Sequence, residues 1–308
     1  MTMSTRLVTR LLLLVQLAAA LAIAASLAHW DSVAPWQAAL AGIASVMLVR
    51  LAINLNNFVL SACFASRTPP EFRLGLAGRL RLLAEEFVSS ILTTSWLMPR
   101  GRARMRIHPA SDRVPVLLLH GYGCNSGYWA RLVPLLDAAG ISHASIDLEP
   151  VGGSIDDYAA AVERTVEALR AATGARRVAI VAHSMGGLVA RAWMRAHGSA
   201  RVARLVTLGT PHGGTVLARF GPGANAQQMR RDGSWLQALA SSEDPAMRAL
   251  VTSIYTHHDN IVSPQDSSVL PGARHIAFGG VGHVALGHNP RVLDAVMGEL
   301  AALDRMSA

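Results

Sequence analysis

The 308-residue chain contains no lysine, so all 28 of its basic side chains are arginine. It has two cysteines, Cys63 and Cys124, too few for a disulfide framework, and structural thiols are the expectation. Charged residues make up 16% of the chain and aromatics 5%. No basic stretch is interleaved with aromatics, and no groove-reading motif occurs. A net charge of +8 therefore does not point to a nucleic-acid partner. No internal repeat is present, and the length suffices for one large domain or two small ones with ample core.

What the chain does have is apolar sequence near its start. Hydrophobic residues make up 51% and the mean hydropathy is +0.32. Residues 11–28 and 33–49 are uncharged, mostly apolar runs separated by His29-Trp30-Asp31-Ser32. At about 1.5 Å per residue each run nearly crosses a hydrocarbon core of ~30 Å. The second lengthens to Ile53 when Arg50 snorkels. Residues 1–53 thus read as a hairpin of two transmembrane helices. A cleaved signal peptide ending at Ser26-Leu27-Ala28 is the competing reading, disfavoured by the length of the first run and the immediate second one. Two buried soluble helices fit poorly, because neither run has a polar face.

Charge follows the same division. Residues 1–113 hold 12 arginines against five acidic residues, whereas residues 114–308 hold 16 against 15. Arg6, Arg10, Arg50, Arg67, Arg73, Arg79 and Arg81 flank the apolar pair, and Asp31 alone is charged between the runs. The positive-inside bias places both ends of the hairpin, and the domain that follows, on the cytoplasmic side. Anionic membrane lipid then accounts for the basic surplus.

Residues 54–113 read as an amphipathic connector. Pro69-Pro70 breaks it, and residues 71–96 place Leu76, Leu80, Leu83, Phe87 and Ile91 at helical spacing with arginines between. Such a helix either lies on the bilayer or docks on the following domain. Residues 100–106 read as a solvated basic linker.

Over 114–308 apolar strands alternate with helices, the pattern of a mainly parallel α/β sheet. Strands are expected at 114–119, 142–146, 178–181, 202–208, 251–256 and 275–278. Helices are expected at 129–139, 155–172, 188–196 and 290–303. The excursion 213–248, with a helix at 235–240, is long enough to form a lid or the wall of a pocket, as well as an ordinary surface loop.

Chemistry concentrates at Val178-Ala-Ile-Val-Ala-His-Ser-Met-Gly-Gly187. A strand turns sharply through Ser184 into a helix, and the tight turn demands small residues two before and two after the serine. Ala182 and Gly186 comply. A serine hydroxyl needs a histidine to take its proton and a carboxylate to hold that histidine. Asp259 follows the strand 251–256, and His283 sits in the glycine-rich loop after 275–278. Of the rival histidines, His275, His288 and His183 read as structural, and His257 and His258 lie too close in sequence to the acid. Asp244 and Asp266 are fallback acids. The oxyanion hole falls to the N–H groups of Met185 and of Tyr122, in the loop His120-Gly121-Tyr122-Gly123. His120, Gly121 and His212 are candidate substrate contacts.

These residues resemble the small bacterial triacylglycerol lipases of the α/β-hydrolase fold. The likeness rests on His120-Gly121-Tyr122-Gly123, Ala182-His-Ser-Met-Gly-Gly187, Ser253-Ile-Tyr255 leading to Asp259-Asn-Ile-Val262, and Gly280-Val-Gly-His283. Alanine at the first elbow position is an option within that group. Thr210-Pro-His-Gly-Gly214 is similar to a segment of larger bacterial lipases. The resemblance implies an α/β-hydrolase domain over 114–308, which the transmembrane hairpin read from the apolar runs precedes. It implies carboxylic ester hydrolysis of an ester or lipid substrate through an acyl-enzyme, without a cofactor; the hairpin would place that activity at a bacterial inner membrane. Some larger lipases bind a structural calcium, for which no carboxylate cluster can be assigned in this sequence. Export after signal cleavage is the alternative location. An acyltransferase and a non-catalytic membrane-surface module are the alternative functions. The first 113 residues have no counterpart in those secreted enzymes.

Overall fold

The computed structural model describes residues 4–30 and 33–307. Asp31 and Ser32, expected between the apolar runs, lie outside the described residues. Seven strands form one sheet: β1 (Met105–Arg106), β2 (Val116–Leu119), β3 (His143–Ile146), β4 (Val178–His183), β5 (Val202–Leu208), β6 (Val251–Thr256) and β7 (Arg274–Phe278). Their order is β1-β3-β2-β4-β5-β6-β7, parallel throughout except for β1. From β2 the chain moves to one side for β3, then returns to the other side for β4. The carboxyl ends of β2 and β4 therefore flank a switch point, where α/β sheets open a crevice.

The strands read as unbroken apolar runs because both faces are covered. Leu117, Leu119, Ile180 and Ala182 pack with Val162 and Val166 of helix Ala159–Thr173 and with Leu188 and Trp193 of helix Met185–His197. Val116, Leu118, Ala179 and Val181 pack oppositely, with Leu136 of helix Val133–Ala138 and Val292 and Val296 of helix Pro290–Ser307.

Three expectations need correction. The single helix expected at 129–139 is a tight turn, Ser126–Ala130, followed by Val133–Ala138; Pro134 in the first turn favours a new start there. The linker at 100–106 contains β1, so the sheet begins before residue 114. β1 is two exposed residues long, with no alternation to announce it. The helix 155–172 opens as a tight turn at Asp156–Tyr158 and runs as an α-helix only over Ala159–Thr173. Cys63 and Cys124 are both free.

Before the sheet come α1 (Thr5–Trp30), α2 (Pro35–Cys63) and α3 (Leu76–Leu92). Both α1 and α2 are long and apolar enough to cross a membrane. At 26 and 29 residues they are roughly 39 and 43 Å long, more than a ~30 Å hydrocarbon core requires. Part of each helix is docked on the rest of the protein. Thr5 and Thr9 are buried, and the Arg10 guanidinium donates to the Pro99 carbonyl at 2.8 Å. At the same end of the hairpin, Asn54 and Ser61 of α2 are buried. Toward the connecting turn, side chains such as Val15, Leu21, Leu40 and Leu48 are exposed.

The connector docks on the sheet domain with an unexpected face. Its buried residues are Leu82, Glu86 and Ser89, while Leu76, Leu80 and Val88 point outward. Glu86 accepts from the N–H groups of Val284 and Ala285, both at 2.9 Å, and Asn289 donates to Glu85 at 2.6 Å.

Candidate active site

β4 ends in a turn that no ordinary loop needs. Ser184 has φ 54° and ψ −125°, a region costly for a residue with a Cβ, by about 1–3 kcal/mol. Neighbouring groups hold it there: its N–H donates to the Leu208 carbonyl and its carbonyl accepts from the Thr210 hydroxyl, both at 2.8 Å. A Cβ at Gly186 would lie 2.5 Å from the Leu119 carbonyl oxygen, so only glycine lets the helix start this close to β2. Met185 is the first helical residue, and its N–H is among those a helix leaves without an internal partner.

The other candidates arrive from adjacent strand ends. His283 Nδ1 lies 2.8 Å from Asp259 Oδ2, and both side chains are buried. The second carboxylate oxygen of Asp259 accepts from the N–H groups of Ile261 and Val262 at 2.8 and 2.7 Å. Burial by itself lowers the proton affinity of His283. The Asp259 charge and hydrogen bond, with a contribution from Glu86, outweigh it, so the ring sits above its ordinary pKa. Burial raises the Glu86 carboxyl, partly offset by its two backbone donors and His283. The elbow and the pair share neighbours, since His183 Nε2 donates to the His283 carbonyl at 3.2 Å.

In the loop after β2, Gly121 packs so closely that a Cβ would lie 2.9 Å from the Ser184 Cβ. His120 serves the loop rather than a ligand. Its Nδ1 lies 2.9 Å from the Gly121 carbonyl and its Nε2 accepts from the Leu148 N–H at 2.8 Å. An acceptor at one nitrogen and a donor at the other fix a neutral tautomer, as burial also favours. His212 is likewise held away from the pocket, by Thr207 at 3.1 Å and Arg191 at 3.2 Å, and its neighbour Pro211 lines the pocket instead.

Rival residues have structural places. His288 pairs with Thr93 at 2.8 Å, His258 accepts from Gly280 and His275 contacts the Leu270 backbone. His183 stacks on Tyr128 at 4.1 Å. Asp244 caps the helix Pro245–Ala249, and Asp266 is exposed.

Ser184 opens on a cavity of about 460 Å³, walled largely by apolar side chains. The excursion 213–248 supplies Leu217, Ala218, Phe220 and Met229, and so forms a pocket wall. Tyr122 also lines it and donates its hydroxyl to the Pro222 carbonyl at 2.7 Å. The excursion is pinned to the elbow helix by the buried Arg191–Glu243 pair at 2.6 Å. A third wall comes from α2, through Asn56, Asn57 and Leu60. Ser61 of the same helix donates to the Asp259 carbonyl at 2.7 Å. The sequence reading missed these α2 residues and Glu86. The signal was there: Asn57 and Ser61 are polar residues spaced four apart on a mostly apolar helix. Among the described residues, no group of three or more His, Cys, Asp or Glu side chains is placed to hold a metal ion.

Comparison with known proteins places the fold. A family model for the alpha/beta hydrolase fold matches residues 114–232. A Bacillus licheniformis lipase in its mature form superposes with a TM-score of 0.57 at 18% identity, covering 65% of this chain and 97% of that one. Aspergillus fumigatus lipase B gives 0.54 at 16%, over 64% and 55%. The fold is that of the α/β hydrolases. Within it, a triacylglycerol lipase of Pseudarthrobacter phenanthrenivorans is 32% identical over 121 residues, 36% of this chain and 37% of that protein. A serine hydrolase-like protein of Danio rerio is 37% identical over 102 residues, 30% of each chain. The chain spans about a third of the length of the curated relatives it matches. The matched residues 114–232 lie within the sheet domain and leave α1, α2 and α3 outside the match.

Proposed function

We propose that this protein is a membrane-anchored serine hydrolase that cleaves carboxylic esters of lipids. The reading is carried by one observation: a serine held in a strained elbow opens on an apolar pocket beside a buried, hydrogen-bonded His283–Asp259 pair. In this mechanism His283 Nε2 takes the proton of Ser184 as its Oγ attacks the ester carbonyl carbon. Asp259 keeps the imidazole oriented and stabilises its charged form. The N–H groups of Tyr122 and Met185 receive the oxyanion, an interaction typically worth ~3 kcal/mol per donor. The carbon–oxygen bond to the alcohol breaks, His283 protonates the leaving oxygen, and water attacking the acyl-enzyme releases the acid. The apolar walls suit an acyl chain.

Membrane anchoring is supported by two helices whose exposed middle stretches are apolar and whose ends are docked in the protein. The surplus of arginine flanking them favours the cytoplasmic face. Covalent labelling by a fluorophosphonate tests the chemistry. Labelling of the wild type and its loss in Ser184→Ala are expected; a folded wild type that does not label would refute the enzyme reading. A reporter fused after Ala308 tests sidedness, and a periplasmic signal would overturn the topology.

A further inference from the structure

A second cavity, of about 500 Å³, lies between α1, α2, α3 and the loop after β2. Arg50 is the sole charged residue lining it, with Gln16, Asn54, Asn57 and Thr94 among the polar ones. The Arg50 guanidinium is held by neutral groups: Gln16 Oε1 at 3.3 Å, Ser95 Oγ at 2.7 Å and Thr94 Oγ1. It makes no ion pair among the described residues. A cation at membrane depth with only neutral partners is expensive to maintain, and such residues mark ligand sites.

Asn54, one turn further along α2, is 6% exposed, and its Oδ1 has no hydrogen-bond partner among the described residues. Buried amides are rarely left so. Because an amide presents an acceptor or a donor according to its flip, the position can offer N–H to an anion.

Arg50, Asn54, Asn57 and Ser61 recur at intervals of four, three and four, which puts them on one face of α2. That stripe runs from the bilayer stretch to the candidate active site. Asn57 lines both cavities, and in the loop after β2 Tyr122 lines the active-site cavity while Gly123 lines the other. Arg50 and Asn57 are about 10 Å apart along the helix, so the stripe joins the two cavities within about two turns.

We propose that the substrate is a glycerophospholipid, with its phosphate on Arg50 in this cavity and an acyl ester presented to Ser184. The inference rests on the ester-hydrolase reading and names its substrate class. Ser184 Oγ bonds to the acyl carbon, the glycerol oxygen leaves with a proton from His283, and a lysophospholipid is released. Water then frees the fatty acid.

The test uses the full chain in detergent with dihexanoylphosphatidylglycerol, dihexanoylglycerol and p-nitrophenyl butyrate. The wild type should show at least a tenfold higher kcat/KM for the phospholipid than for the neutral diester. Arg50→Gln should reduce that preference by at least tenfold, chiefly through KM, and Arg50→Lys should restore part of it. Equal rates on the two diesters, or a preference that survives in a folded Arg50→Gln, overturn the proposal. If Arg50→Gln does not fold, the wild-type preference decides. Inorganic phosphate altering p-nitrophenyl butyrate turnover, with no phospholipid preference, would assign the cavity to a free anion and also overturn it. Failure of the folded wild type on all three esters would instead remove the hydrolase reading itself.

Discussion

The sheet domain and the N-terminal helices follow opposite hydrophobic rules. In the sheet, Leu117, Leu118 and Leu119 are fully buried, and charges such as Arg201 and Glu167 pair near the surface. In α1, α2 and α3 many leucines and valines face outward, and Thr5, Thr9, Asn54, Ser61, Glu86 and Ser89 are buried, alongside Ala38 and Leu82. Under the membrane anchoring proposed above, the difference is one of solvent. Water drives apolar groups inward. A bilayer removes that drive and leaves packing and hydrogen bonds between polar groups to hold helices together. On that reading the candidate site forms where the two regimes meet, walled by residues of both regions.

The largest effect that probes this boundary is chemical. Ser184→Ala should reduce ester turnover by about 10⁴–10⁶-fold with the melting temperature unchanged, measured on p-nitrophenyl esters. Retained turnover would move the nucleophile elsewhere.

Next comes the tie between the elbow helix and the pocket wall. Glu243→Gln leaves Arg191 buried without its carboxylate and should destabilise the sheet domain by about 3–5 kcal/mol, read by denaturant unfolding.

The comparison itself breaks or holds on matched truncations. Leu118→Ala should cost about 3–5 kcal/mol. Leu40→Ala, on the outward face of α2, should cost within ~0.5 kcal/mol in detergent, as a surface substitution does. Similar costs at both positions would refute the two-regime description.

The smallest effect is a displacement in pH. His283 must be neutral to act as base, so kcat/KM should fall as pH drops through its raised pKa. Glu86 contributes to raising it. Glu86→Gln should therefore move the acid limb of the profile to lower pH, a shift that a purely structural role would not produce.

Much of the sheet domain was legible in the sequence. The strands 202–208 and 251–256 are found with the same bounds as expected, because buried parallel strands are unbroken apolar runs. Ser184, Asp259 and His283 stand out as candidates because each lies at or in the loop after the carboxyl end of a strand, and the tight turn restricts the neighbours of Ser184. β1 was not readable, being two exposed residues whose pairing with β3 is long-range. His120 and His212 were named as substrate contacts because they stand beside the site in sequence; their partners Leu148, Thr207 and Arg191 are brought in by other elements, and those partners turn the rings away.

Local sequence determined the elements, the apolar helices and the strand-end positions of the catalytic candidates, because periodicity and turn sterics act over a few residues. Only the tertiary structure decided that Glu86 lies near His283, that Ser61 steadies the Asp259 loop, and that α2 walls the pocket. Those contacts join residues about 200 apart in the chain. No local preference encodes them; they arise when docking leaves buried polar groups that must find partners.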